Sequence, residues 1–151
     1  MRRSEREITD RAEIEEIIRK ASICRIALSD NGNPYIVPVC FGYEHGRLYF
    51  HTATEGRKLE ILKRNNRVCF EMDIETKLAV GEKACTWGMK YRSVIGFGTA
   101  WFVEDPAEKR KGLDAIMRQY SGPEGDYSTK ALNQTALVKI EIESLTGKQA
   151  F

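Results

Sequence analysis

Arg57 and Lys58 stand side by side at the end of the run Phe50-His51-Thr52-Ala53-Thr54-Glu55-Gly56-Arg57-Lys58, and their place is electrically odd. The run reads as a strand end leading into a helix, which puts both cations in the helix's first turn. A helix N-terminus carries partial positive charge and free amides, so it favours anions. Two cations there are misplaced unless an anion sits between them and the amides. A phosphate resolves the conflict, because it accepts amide hydrogen bonds and pairs with both side chains. Thr52 and Thr54 add hydroxyls, and Gly56 lets the backbone come close to a ligand. The competing reading is a solvated helix face on which Glu55 and Glu60 neutralise the pair.

Other side chains with chemical potential are fewer. His51 is a side chain of a type that could give a proton to a substrate that takes up electrons; otherwise it is a strand histidine satisfied by a carbonyl. His45, beside Gly46, reads as an exposed turn residue. Glu71 and Asp73 share a strand face, which reads as solvated surface. No two of the four cysteines (Cys24, Cys40, Cys69, Cys85) lie within four residues of each other, so no zinc site is expected. Gly96-Phe97-Gly98 is followed by Trp101 where a dinucleotide fingerprint needs a third glycine. No nucleophile-elbow or P-loop pattern occurs.

The elements that must position these residues follow from periodicity. Asp10 and Glu13 have capping-box spacing, and Ile14, Ile17, Ile18 and Ala21 make one apolar stripe, which predicts a helix over 11–21. A period of two then predicts six strands, at about 24–29, 35–43, 47–52, 67–75, 91–103 and 136–143. Asp30-Asn31-Gly32-Asn33 supplies hairpin chemistry. Pro38 removes a ladder donor and places its strand at an edge, a bulge or a gap. A helix is expected over 55–64 and another after Asp105-Pro106, with Leu113, Ile116, Met117 and Tyr120 as its stripe. Residues 76–90 read as a loop longer than a connection needs. The strand over 91–103 is apolar on both faces, so its outer face needs a second cover, and a partner subunit is a natural one.

These elements form one domain over 1–151, a mainly β (α+β), six-stranded antiparallel barrel with about three peripheral helices. Tight turns between the first three strands disfavour a doubly wound sheet. Arg2, Arg3 and Arg6 make the start basic, but Glu5, Glu7 and Asp10 follow. The net charge of +2 and the lack of a basic stripe argue against nucleic acid. The longest strongly apolar uncharged stretch, Val94 to Val103, is half a membrane span, and no signal peptide follows Met1. A cytoplasmic protein with reduced thiols is expected.

Tyr35-Ile36-Val37-Pro38-Val39-Cys40-Phe41-Gly42-Tyr43, the Phe50 to Lys58 run and Asn66-Arg67-Val68-Cys69-Phe70 together resemble the FMN-binding split barrels related to pyridoxamine 5′-phosphate oxidase. Ala84-Cys85-Thr86-Trp87-Gly88-Met89-Lys90-Tyr91-Arg92-Ser93-Val94-Ile95-Gly96-Phe97-Gly98 is similar to the 5-nitroimidazole-resistance branch of that family. The resemblance implies a split barrel and a homodimer with FMN at the subunit interface. It implies that Val37, Pro38, Val39, Cys40 and Phe41 line the isoalloxazine, followed by His51 and Thr52. Arg57 and Lys58 match the phosphate-binding pair and Ser93 a polar flavin contact. Trp87 and Met89, in the long loop, read as packing residues that plug the barrel end, the alternative being a cover for the flavin. His51 matches a histidine linked to nitro-group reduction. Two departures stand out. Gly56 replaces the serine before the oxidase's Arg-Lys pair, and the chain ends Gly147-Lys148-Gln149-Ala150-Phe151 without the oxidase's tryptophan- and arginine-bearing segment. Pyridoxamine-phosphate oxidation is therefore not expected. The implied function is an FMN-dependent oxidoreductase reducing a small acceptor such as a nitro compound. The alternatives are a non-catalytic FMN carrier, or a split barrel binding haem, F420 or FAD.

Overall fold

In the computed structural model the described residues are 3–151, so Arg2 of the basic start lies outside them. A two-residue strand β1, Glu7–Ile8, leads into helix α1, Arg11–Lys20. The helix begins where its cap dictates: the Asp10 carboxylate accepts from the Ala12 amide, 2.9 Å away. Ile14, Ile17 and Ile18 are buried, as their stripe requires. Strands β2 (Cys24–Asp30) and β3 (Asn33–Val39) form a hairpin whose turn residues, Asn31 and Gly32, both have positive φ, the signature of a type I′ turn. Strand β4 (Gly42–Glu44), strand β5 (Arg47–Ala53), helix α2 (Arg57–Arg64) and strand β6 (Arg67–Ala79) follow. Strand β7 (Gly88–Phe102), helices α3 (Pro106–Gln119) and α4 (Thr129–Asn133) and strand β8 (Thr135–Ala150) complete the chain.

All the strand pairs are antiparallel, and their order is β3-β2-β6-β7-β8-β5-β4, with β1 added to β8. The two end strands, β3 and β4, follow each other in the chain through Cys40-Phe41. The sheet therefore curls until its ends meet without pairing, which makes a split barrel. Phe41, Phe50, Phe70, Ile26, Leu48, Met72 and Ile140 fill its interior, each under 2% exposed. Helix α1 packs against β6, β7 and β8. The buried Arg92 guanidinium fastens it there, pairing with Glu13 and Glu16 of α1 at 3.1 and 3.3 Å and with Glu75 of β6 at 3.5 Å. On the other side, α3 lies directly on β4. A Cβ at Gly42 would sit 2.4 Å from the Ala115 backbone, so only glycine permits that approach.

Six strands were expected and the described residues form eight, and the differences have physical causes. The strand predicted over 35–43 breaks at Cys40-Phe41 into β3 and β4. The stretch expected as a loop over 76–90 is largely a β-hairpin, because β6 runs on to Ala79 and pairs with β7 from Gly88. A bulge hides this continuation: the register shifts between Ile74 and Lys77, and Glu75 takes φ +57°, so the alternation ends while the pairing does not. The last strand likewise outruns its expected end at residue 143. A register shift at Glu143 moves the inward positions from Val138 and Ile140 to Leu145 and Gly147. Pro38 sits as expected on an edge strand, since β3 pairs only with β2.

The outer face of β7 is bare. Ile95, Phe97 and Trp101 are 43%, 48% and 52% exposed, and Ile36 on β3 is 61% exposed. The register lines up Ile36, Ala27, Cys69 and Phe97 in one row across four strands. This is an apolar row on an open sheet face. It is flanked on one side by Arg25 with Glu71 and Asp73, at 3.0 and 2.6 Å, and on the other by Arg67 with Glu143. Glu71 and Asp73 are thus not the plain solvated surface expected. Both are half-buried partners of Arg25, and burial raises the Glu71 carboxyl above its ordinary range despite that pairing.

Candidate functional site: an uncapped helix and its two cations

Gly56 is the N-cap of α2, with φ +128°, a backbone conformation that side chains rarely adopt. It offers no side-chain acceptor to the first-turn amides, and the space where its Cβ would stand is open. A helix end of this kind has free donors and room in front of them. Arg57 and Lys58 flank it. The Arg57 guanidinium carbon lies 4.6 Å from the centre of the Tyr35 ring on β3. The Lys58 ammonium lies 5.4 Å from the centre of the Phe50 ring on β5. One contact is with β3, an end strand of the sheet, and the other with β5, the neighbour of the other end strand β4, so α2 starts beside the split.

Neither cation has an acidic partner. Among the described residues the ion pairs join other side chains, and Glu55 and Glu60 neutralise neither Arg57 nor Lys58. Burial pulls the half-buried Lys58 ammonium below its usual range, and no anion opposes it. The solvated, neutralised helix face is therefore not what the chain builds. What it builds is an uncapped helix start with free amides, two cations without acidic partners and open space in front of them.

Beside it runs β3. Val37 is half-buried, Val39 and Phe41 are buried, and Pro38 and Cys40 are exposed. Because β3 pairs on one side only, its other edge keeps main-chain groups free for a ligand. The break after β3 is braced from α3. The Phe41 amide donates to the Tyr120 hydroxyl at 3.1 Å, and that hydroxyl donates to the Ser22 carbonyl at 2.8 Å. Burial pushes the Tyr120 phenol up to about 12, so it keeps the proton this bridge needs.

Not all the residues singled out in the sequence converge here. Thr52 shares the Phe50 face of β5, whereas His51 points to the opposite face. There His51 lines a separate cavity with residues of α3 and α4. Ser93 lies on β7, beyond β2 and β6 along the sheet, buried opposite Asp73 and Lys148. Trp87 is exposed on the β6–β7 hairpin, its indole N–H donating to the Gly81 carbonyl at 2.8 Å. Periodicity did not reveal the bracing role of Tyr120, because its signal is a hydrogen bond between residues 79 apart in the chain. Among the described residues, no group of three His, Cys, Asp or Glu side chains is placed to hold a metal ion. Nor is any helix long and apolar enough to cross a membrane.

A split antiparallel barrel with an uncapped, doubly cationic helix start beside its split defines a class of protein, and sequence comparison gives that class its family. The family model for pyridoxamine 5′-phosphate oxidase matches residues 10–149, and the chain belongs to that family. A candidate 5-nitroimidazole antibiotic resistance protein from Bacteroides thetaiotaomicron is 40% identical. The match covers 95% of this chain and 86% of that one, with a TM-score of 0.85. The flavocytochrome Anf3 from Azotobacter vinelandii is 20% identical, with 100% and 72% of the two chains covered and a TM-score of 0.85. A FAD- and heme-binding protein from Mycobacterium smegmatis is 21% identical, with 96% and 73% covered and a TM-score of 0.86. The last two establish likeness of fold. No curated protein matches the chain.

Proposed function

We propose that this chain is a cytoplasmic FMN-dependent oxidoreductase that reduces a small acceptor such as a nitro compound. The observation that carries the reading is the pair of unpartnered cations, Arg57 and Lys58, at the uncapped start of α2. In this reading they and the first-turn amides hold the flavin phosphate. The free edge of β3, from Val37 to Phe41, takes the ring system, and Thr52 adds a hydroxyl. Bound flavin supplies the electron transfer, while the protein sets its orientation and surroundings. The likeness to a candidate nitroimidazole-resistance protein supports the choice of acceptor.

Two copies of the chain complete the reading. Ser93 and Trp87 lie on β7 and its hairpin, away from the seam of their own barrel, so a second copy must bring them to a flavin there. The bare apolar row across Ile36, Phe97 and their neighbours is the face that such a copy covers.

The experiment is to purify the protein, denature it and weigh the molecule released, then repeat this with Arg57→Ala/Lys58→Ala. FMN from the parent and none from the variant is the expected result. Retention at the parent level overturns the phosphate assignment. A second reading is FAD, favoured by a cavity of about 400 Å³ that starts at Thr54 and is lined by Lys63, Lys109 and Asn133, with room for an adenylate. The mass of the released molecule separates the two flavins. A protein that keeps FMN but passes no electrons from it to nitroimidazoles or quinones is a redox carrier instead.

A further inference from the structure

Acid and base are unevenly matched on the two sides of the apolar row that crosses the bare sheet face. On one side Arg67 meets a single carboxylate, Glu143. On the other, one nitrogen of Arg25, Nη1, meets two, Glu71 at 3.0 Å and Asp73 at 2.6 Å. The first group is neutral, and the second carries one excess negative charge. Strand alternation puts Glu71 and Asp73 on the same face of β6 as Cys69 of the row. Glu71 stands directly opposite Ile95 of β7, which is itself bare. A surface that covers Ile95 and Phe97 therefore takes Glu71 out of water as well.

The groups around Glu71 do not remove that excess. From β2 it meets Arg25, which is already shared with Asp73. On β7 the residues opposite the two carboxylates are Ile95 and Ser93, neither of them charged. On its own strand, burial pushes the Cys69 thiol up, so it stays neutral. One strand further, Lys148 of β8 stands opposite Ser93, with Glu7 of β1 opposite it in turn and its ammonium 5.6 Å from the centre of the Tyr91 ring.

Two copies joined through a two-fold axis present the same face to each other, so two excess charges enter one interface. Burying an unpaired carboxylate costs far more than burying the neutral acid. Of the two carboxylates, Glu71 is the one to accept the proton. Its contact with Arg25 is the longer, and burial already holds its carboxyl above the ordinary range in the single chain.

We propose that pairing of two copies across this face is proton-linked: each copy takes up one proton at Glu71 as the apolar rows meet, so the dimer tightens as the pH falls. The proposal rests on the reading above, in which a second copy covers the row. The sign follows from linkage. Association raises the Glu71 value above that of the single chain, so the contribution is fully present below the single-chain value. It is lost as the pH rises through the value in the dimer.

The test is the dimer dissociation constant of the purified protein, with whatever cofactor it carries, by sedimentation velocity at fixed ionic strength. The dimer is expected to be at least about tenfold tighter at about pH 5 than at about pH 8. Glu71→Gln should flatten that profile and hold the dimer tight at the alkaline end. Asp73→Asn removes the same excess charge and should also tighten the dimer there, which keeps the test open if the first variant does not fold. Glu143→Gln, in the balanced pair, should leave the pH slope in place. A constant that does not move with pH, or a parent slope retained in folded Glu71→Gln, overturns the linkage and leaves the dimer standing. A dimer that loosens in acid also overturns it, because the partner subunit's Lys148 then pairs with an ionised Glu71. A chain that is monomeric at every pH overturns the linkage together with the covered face.

Discussion

At the scale of single residues, Lys58 stands in conflict with its surroundings. Burial lowers its pKa from the ordinary 10.5, and no carboxylate compensates. A folded-state value below the unfolded one means that the folded chain binds the proton less tightly. Stability then rises with pH through the window between the two values, and the penalty is fully present at neutral pH, where both states are charged. Lys58→Met should therefore raise the melting temperature of the flavin-free protein while weakening FMN about tenfold to a hundredfold, the worth of one charge-assisted hydrogen bond. Thermal melts of the flavin-free protein and FMN titrations check the two halves. A lower melting temperature with unchanged affinity would mean that Lys58 is an ordinary surface lysine. This conflict was legible in the sequence, because two cations in a first turn violate a simple electrostatic rule. The separation of His51 from Thr52 was not, since adjacent strand residues always point apart but sequence does not say which face meets which neighbour.

The seam is an affair of elements, and Tyr120 holds it. Its hydroxyl bridges the Phe41 amide and the Ser22 carbonyl, tying the end of α3 to the break between β3 and β4. Tyr120→Phe leaves both groups without that partner and should cost about 1 kcal/mol in urea unfolding. If β3 is the platform for the ring, the same change should also weaken FMN. An unchanged midpoint and unchanged affinity would mean that the brace is idle. The element boundaries show where sequence reasoning stops. Caps at Asp10 and Asp105 and the Asn31-Gly32 turn act locally, so α1, α3 and the first hairpin appear where their signals lie. The bulges at Glu75 and Glu143 shift the register against another strand, and alternation along one strand carries no trace of that partner.

For the molecule as a whole, the outer face of β7 is the contact surface of the proposed dimer. Its apolar character was plain in the sequence, and the structure leaves Phe97 about half exposed at the end of a row four strands wide. A second copy covering that row buries it, whereas a charge placed there opposes burial. Phe97→Glu should convert a dimer into a monomer by light scattering, and FMN should be lost with the partner's Ser93 and Trp87. A parent protein that is already monomeric would remove the reason for placing the flavin between subunits.

The whole account depends on a phosphoryl group lying between Arg57, Lys58 and the open end of α2. Parallel titrations with FMN and with riboflavin, which lacks that group, test it most directly. FMN is predicted to bind at least about a hundredfold more tightly, about 2.7 kcal/mol, and Arg57→Ala/Lys58→Ala should erase the difference. Equal affinity of the parent protein for the two flavins would contradict the account.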